Sequence, residues 1–212
     1  MAEQQRRRTQ AERIAATEDA LYEAAIQVIA RDGAGKLTLA NIAKMAGVSP
    51  GLVNHRFGSK SNLLQMTCMK VLDAWSEILS EVTEAHSESS LKSLEALSRL
   101  YLEGVSSKSD IVMAQGRLMA ESVNSLGELQ PAFKTYNQRV CQSIVELLKP
   151  GQNRGEIKSD VDLKAFAVTF VGTLRGVGML HLVDDSIDLE AACGMVVLIC
   201  KQLLQPDTSD SK

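Results

Sequence analysis

Aromatic side chains make up only 4% of this 212-residue chain, with a single Trp, and there are just four prolines and four cysteines. Few aromatics, and no short β-branched alternating runs between turn signals, exclude a sheet-built domain. Cys68, Cys141, Cys193 and Cys200 form no Cys-x-x-Cys pair and lie in apolar, helix-like contexts, which excludes a redox or zinc-ribbon motif and fits a reducing, cytoplasmic setting. The amino terminus lacks an apolar signal-peptide core. No stretch of about 18 apolar residues is free of charge or strong polarity; the nearest, Ala165 to Leu182, contains Arg175 and His181, so no membrane span is expected.

Catalytic signatures are missing as well. There is no Gly-x-Ser-x-Gly elbow, no His-Glu-x-x-His helix, and no acid pair flanked by aromatic sugar platforms. Gly33-Ala-Gly-Lys36 has Ala30 where a phosphate-binding loop needs its first glycine, and a helix-like segment rather than a strand precedes it. Gly176-Val-Gly178 has His181 in place of the third glycine of a dinucleotide fingerprint and reads as a packing feature. His86 and His181 have no metal-ligating partner at helical spacing, and Asp184, Asp185 and Asp188 read as loop caps. The expectation is a protein that is not an enzyme and has no cofactor or metal.

What is present is apolar mass and uneven charge. Hydrophobic residues are 45% of the chain, enough for a substantial core, and the net charge is -3. From Met1 to Lys60, however, nine basic residues face six acidic ones, a surplus of three that leaves -6 on the remainder. A basic amino-terminal third on an acidic body implies that one end of the molecule meets a polyanion.

The periodicity is helical throughout. Thr9-Gln-Ala-Glu12 reads as a capping box opening a helix to about Asp32, with Leu21, Ala25, Val28 and Ile29 inside and Gly33 and Gly35 stopping it. Thr38 caps a second helix with Leu39, Ile42, Ala43 and Ala46 on its apolar face; Gly47 ends it. Ser49-Pro50 pairs an N-cap with proline at the first helical position, where no amide is needed. The third helix is short, with Val53 and Phe57 one turn apart, and Gly58-Ser59 precedes a long helix from Lys60 to His86. Further helices are expected at Leu91–Ser107, Asp110–Ser125, Glu128–Lys149, Asp162–Val183 and Asp188–Gln205, with Pro150-Gly151 and Asn153-Arg154-Gly155 as breaks.

Two short helices joined by a tight turn at Gly47-Val48-Ser49 have the geometry that lays a second helix in the major groove. Leu21-Tyr-Glu-Ala-Ala25, Gly33, Thr38-Leu-Ala-Asn-Ile-Ala43, Ala46-Gly-Val-Ser49, Gly51, His55, Phe57 and Ser59-Lys60-Ser-Asn-Leu63 together resemble the amino-terminal domain of TetR-family regulators. Gly155-Glu-Ile157, leading to Asp160-Val-Asp162 and two apolar helices, resembles the carboxy-terminal body, with a weaker likeness to its BetI-like branch. The chain departs from the family at Asn54 and Arg56, where aromatics are common, and at Asn41, where an acid is usual. On chemistry, Pro50, Gly51, Leu52 and His55 fall where base edges lie, with Ser49 a further DNA-binding candidate at the helix start; Thr38, Asn54, Arg56 and Lys60 can reach phosphates; Arg6, Arg7 and Arg8 can follow the backbone or enter a minor groove.

The expected architecture is all-α: a basic arm and helix-turn-helix DNA-binding domain over residues 1–60, a larger helical effector-binding and dimerisation domain over 61–206, and a disordered tail, 207–212. In the body, Trp75, Tyr101, Met113, Arg117, Phe133, Tyr136 and Phe166 are candidate effector-pocket residues, because they mix apolar surface with a few polar groups. Gly172, Gly176, Met179, Ala192, Val196 and Ile199, on two almost wholly apolar helices, are candidates for a four-helix homodimer interface. The resemblance implies a repressor released from a double-stranded, palindromic operator by a small molecule. The alternative is a helical ligand-binding or adaptor module without operator binding.

Overall fold

The structure, a computed structural model, describes residues 10–206. They form nine α-helices: α1 (Gln10–Asp32), α2 (Leu39–Met45), α3 (Pro50–Phe57), α4 (Lys60–Ala85), α5 (Ser90–Ser106), α6 (Asp110–Ser122), α7 (Gln130–Asn153), α8 (Leu163–Val183) and α9 (Leu189–Leu204). Short 3-10 turns occur at Ala34–Lys36 and Gly127–Leu129, and no strand occurs among the described residues. The all-α expectation is met. Thr9, Arg6, Arg7, Arg8 and the tail 207–212 lie outside the described residues.

The helix boundaries follow from local chemistry. Thr38 caps α2 by accepting the Asn41 amide at 3.1 Å, and Ser49 caps α3 by accepting the Leu52 amide at 3.3 Å, with Pro50 in the first turn. Asp162 and Asp188 cap α8 and α9 the same way, Asp188 accepting from Ala191 at 3.0 Å. The turn between α2 and α3 is a left-handed termination: Gly47 has φ +66°, its amide donates to the Lys44 carbonyl, and the Val48 amide reaches back to Ala43 at 3.0 Å. A Cβ there would meet no atom, so the cost of Gly47→Ala is conformational alone. Left-handed strain of about 1–2 kcal/mol, offset in part by a stiffer unfolded chain, predicts a net loss of about 1 kcal/mol in urea unfolding. An unchanged midpoint would show that the turn does not depend on glycine.

One boundary differs from expectation. Pro150 does not end α7, which runs to Asn153 with the proline inside. Proline forfeits one backbone hydrogen bond, a modest loss in the final turn of an exposed helix end. The stop comes at Gly155 (φ +75°), where the Glu156 amide bonds back to Gly151 at 2.8 Å.

The chain divides into two compact units. Residues up to Val71 join Met113–Leu129 in the first unit; Leu72–Val112 and the chain from Gln130 form the second. The opening turns of α4 carry buried Leu63, Leu64, Cys68 and Val71, and Ala114 and Leu118 of α6 are buried as well.

In the first unit α2 packs on both α1 and α3. Leu21, Ala25, Ile29, Leu37, Ile42, Val53, Phe57 and Leu63 are each essentially solvent-free. Phe57 meets the Tyr22 ring edge-on at 5.8 Å. Glu121 reaches the α1–α2 connection, accepting the Ala34 amide at 3.3 Å.

In the second unit α5 packs on α7, α8 and α9, and α8 on both α7 and α9. Its core runs through Leu94, Leu102, Val105, Leu148, Ile157, Phe166, Phe170, Leu174, Cys193, Val196 and Leu204. Gly178 is where α8 approaches α5 most tightly: a Cβ there would lie 3.1 Å from Val105 and 3.4 Å from the Tyr101 ring. The reading of Gly176-Val-Gly178 as a packing feature therefore applies to its second glycine. Glu156 ties the α7–α8 connection to α5 by accepting the Ser89 hydroxyl and the Ser90 and Leu91 amides; burial pushes its carboxyl up, but these hydrogen bonds hold it below the usual range. All four cysteines are free, and burial pushes Cys68 and Cys200 up to about 11, which makes those thiols unreactive.

Candidate nucleic-acid interface and apolar faces

Successive residues of a helix are offset by about 100°, so the eight residues of α3 sort themselves by face. Val53 and Phe57, 0% and 2% exposed, define the inward side. His55 lies opposite that pair, and Gly51 and Leu52 flank it, one on each side. Pro50, Gly51, Asn54 and His55 are all exposed, as are Ser49 and Thr38 at the two caps. The outward side of the third helix therefore carries the residues assigned to base edges, and its amino terminus leaves free amides at the protein surface.

Three positions are placed differently from a simple reading of the motif. Leu52 is 42% exposed but leans toward α1, lining a shallow apolar groove with Ile14, Thr17, Leu21 and Arg56. Arg56, one turn on, pairs its guanidinium with the Glu18 carboxylate and also reaches the Tyr22 phenol. Burial, then the nearby Glu18 charge, pushes that phenol up, and Lys70 stands 5.2 Å over the same ring. Lys60 donates to the Gly35 carbonyl at 2.8 Å. Both cations assigned to phosphates are thus engaged within the protein, because each sits on the flank of its helix that turns toward α1 and the loop after it. Sequence reasoning missed Glu18: it stands 38 residues before Arg56, with no local pattern to link them.

The seven candidate pocket residues do not form one cluster within either unit. Met113 and Arg117 belong to the first unit and the five aromatics to the second. Phe133, Tyr136 and Phe166 are buried, and Phe166 stacks on Phe170 at 6.0 Å within the core. Trp75 and Tyr101 are half-buried with ring centroids 5.5 Å apart, and the Trp75 Nε1 donor is buried without an acceptor. Burial pushes the Tyr101 phenol up, while the Arg175 charge opposes the shift. Arg175, on the largely apolar α8, donates to Asn137 at 2.9 Å and sits over the Tyr136 ring.

The two last helices leave an apolar face open. Among the candidate interface residues, Gly172, Gly176, Met179 and Ile199 are exposed and Ala192 is half-buried. Val196 is not available: it is 5% exposed and faces the core, because it shares a helical stripe with Cys193 and Cys200. Val168, Leu180, Met195 and Leu198 take its place on the open face. The expectation of no membrane span meets one exception, since α8 is long and apolar enough to cross a membrane, with mean hydropathy 1.5 and 28% of that window buried. Its inner stripe, Leu163, Phe166, Ala167, Phe170 and Leu174, is a core stripe.

Residues 21–66 match the family described as bacterial regulatory proteins, tetR family. The chain is 47% identical over 53 residues to the HTH-type transcriptional regulator BetI of Rhizobium meliloti, an overlap of 25% of this chain and 26% of that one. It is 26% identical over 178 residues to the probable HTH-type transcriptional regulator ArpR of Pseudomonas putida, covering 80% and 82% of the two chains. A putative TetR-family transcriptional regulator from Rhodococcus sp. shares the fold with a TM-score of 0.75 at 23% identity, over 90% of this chain and 100% of that one. The named relatives are regulators rather than enzymes, and the BetI overlap spans about a quarter of that protein. The helix-turn-helix segment, residues 21–66, thus matches the tetR family of bacterial regulatory proteins, and the likeness to ArpR runs through both units.

Proposed function

We propose that this protein is a sequence-specific DNA-binding transcriptional regulator, a homodimeric repressor released from a palindromic operator by a small molecule. The observation that carries the reading is the division of α3: Val53 and Phe57 are sealed into the first unit while Ser49, Pro50, Gly51, Asn54 and His55 stand exposed. Many surface helices bury one stripe, but one that follows a tight turn and exposes small and polar residues at its amino terminus has the form of a recognition helix.

The open apolar face of α8 and α9 supports the homodimer, since apolar patches of that extent on a monomer mark an interaction surface. The orphaned Trp75 indole N–H supports the effector. Buried donors are nearly always paired, and a ligand acceptor here would complete the bond. Effector binding then lowers operator affinity by changing the separation of the two recognition helices in the dimer. In this reading the first unit makes the DNA contacts and the second the effector and dimer contacts.

The test is binding to the DNA upstream of the protein's own gene and to random duplex across a salt series. His55→Ala is expected to weaken operator binding by about 1–3 kcal/mol, roughly 5- to 150-fold, with far less loss on random DNA and no change in thermal midpoint. Leu52→Ala, whose side chain is shared between the groove side and α1, is expected to cost about 1 kcal/mol at one thymine-containing position. Equal losses on both DNAs would make these phosphate contacts, and no binding by the wild type to either would overturn the reading in favour of a ligand-binding or adaptor module.

A further inference from the structure

We infer that Glu18 governs how much of the Arg56 charge the DNA encounters, holding that guanidinium in an ion pair and keeping polyanion affinity low. The inference rests on the DNA-binding reading of α3 and deepens it, by adding a residue of α1 that touches no base.

Arg56 is in the last turn of α3, adjacent to His55 and one turn beyond Leu52. A cation there belongs to the rim of the exposed face, where phosphates pass when the helix enters a groove. In the free protein its guanidinium bonds to the Glu18 carboxylate beside the Tyr22 phenol, with 42% of the Arg56 side chain and 29% of the Glu18 side chain exposed. A paired guanidinium carries no net charge toward a polyanion and releases few counterions on binding. To contact a phosphate, Arg56 must leave Glu18 or share its donors, and either way a carboxylate remains beside the phosphate. The geometry favours the pair, because three groups converge on one spot: Glu18 from α1, Arg56 from α3, and the Tyr22 hydroxyl, whose ring is held between Phe57 and Lys70. Exposed ion pairs of this kind contribute little to stability, so removing the charge leaves the fold intact. The effect of Glu18 is therefore on binding.

The experiment measures affinity of the full chain for a random-sequence duplex and for the operator over a range of salt. The variants are Glu18→Gln, Arg56→Ala, the double variant, and Glu23→Gln as a control, Glu23 being an exposed acid of the same helix. Glutamine keeps an acceptor for Arg56 but not the charge. Glu18→Gln is expected to steepen the dependence of log affinity on log salt by about one and to raise affinity about five-fold at 0.15 M salt, the effect of one added phosphate contact. The gain should vanish in the Arg56→Ala background and be clearly smaller in Glu23→Gln. Glu18→Ala, with no acceptor left, should change affinity in the same direction. A gain that persists without Arg56, or one equal to that of Glu23→Gln, overturns the inference by showing general charge removal. Lower affinity in Glu18→Gln also overturns it, by making Glu18 a residue that presents Arg56 to DNA. Absence of DNA binding by the wild type at low salt defeats the functional reading itself and is distinguished from the other outcomes by that control alone.

Discussion

Replacement of Gly176 by leucine is expected to convert the proposed dimer to a monomer in sedimentation velocity while leaving each chain folded. Nothing within the chain opposes the new side chain: a Cβ at Gly176 meets no atom within 4 Å, and the same is true at Gly172 and Gly194. Leucine is also the better helix former, by up to about 1 kcal/mol, so the isolated chain should melt no lower than the wild type. The consequence falls on whatever lies against α8 from outside. That face combines glycines with Val168, Met179 and Leu180, alongside Met195, Leu198 and Ile199 of α9. Two copies meeting there would bring backbones close at the glycines, and a leucine would force them apart. Because a dimer holds two half-sites at once, its loss should reduce operator affinity by about a hundred-fold or more. Gly178→Leu is the informative contrast, for there Val105 and Tyr101 already stand at contact distance, and that substitution should lower the melting temperature instead. A Gly176→Leu protein that remains dimeric would place the interface elsewhere.

Phe57→Ala is expected to cost about 3–5 kcal/mol and to abolish DNA binding through unfolding of the first unit. Phe57 is 2% exposed, closes α3 against Tyr22, and has the largest fully buried side chain among the described residues. The loss combines the transfer free energy of the ring with the cavity it leaves. Against a total stability of about 5–15 kcal/mol, a loss of that size leaves a unit near the lower end of the range marginal or unfolded. Urea unfolding combined with amide exchange over residues 38–57 measures both effects. His55→Ala, two residues away, should leave both untouched while weakening operator binding, and the pair together separates folding from recognition along a single helix. Normal amide protection in Phe57→Ala would mean that the unit repacks around the gap.

The ends of the helices were legible in the chain because they depend on neighbours a few residues away. Thr38, Ser49, Asp162 and Asp188 cap amides two or three residues on, and Gly47 turns the backbone wherever it stands. The inward faces of α1 to α3 followed from spacing, and so did the exposure of His55, which lies opposite Val53 and Phe57 by helix geometry alone. Pro150 was misjudged for a related reason: proline breaks a helix through its missing bond and its ring, and in the last turn of α7 the surrounding structure tolerates both.

What sequence alone determined about this protein is therefore its all-helical class and the helix-turn-helix with its resemblance to TetR-family regulators, since these rest on interactions closed within one or two helical turns. Tertiary structure decided the pairing of Arg56 with Glu18, the seat of Lys60 on the Gly35 carbonyl, the inward turn of Val196 and the joining of Met113–Leu129 to the amino-terminal unit. Each of these is a contact between segments distant in the chain. Periodicity reports which side of a helix is apolar, but not which charged neighbour a distant helix will bring to its edge.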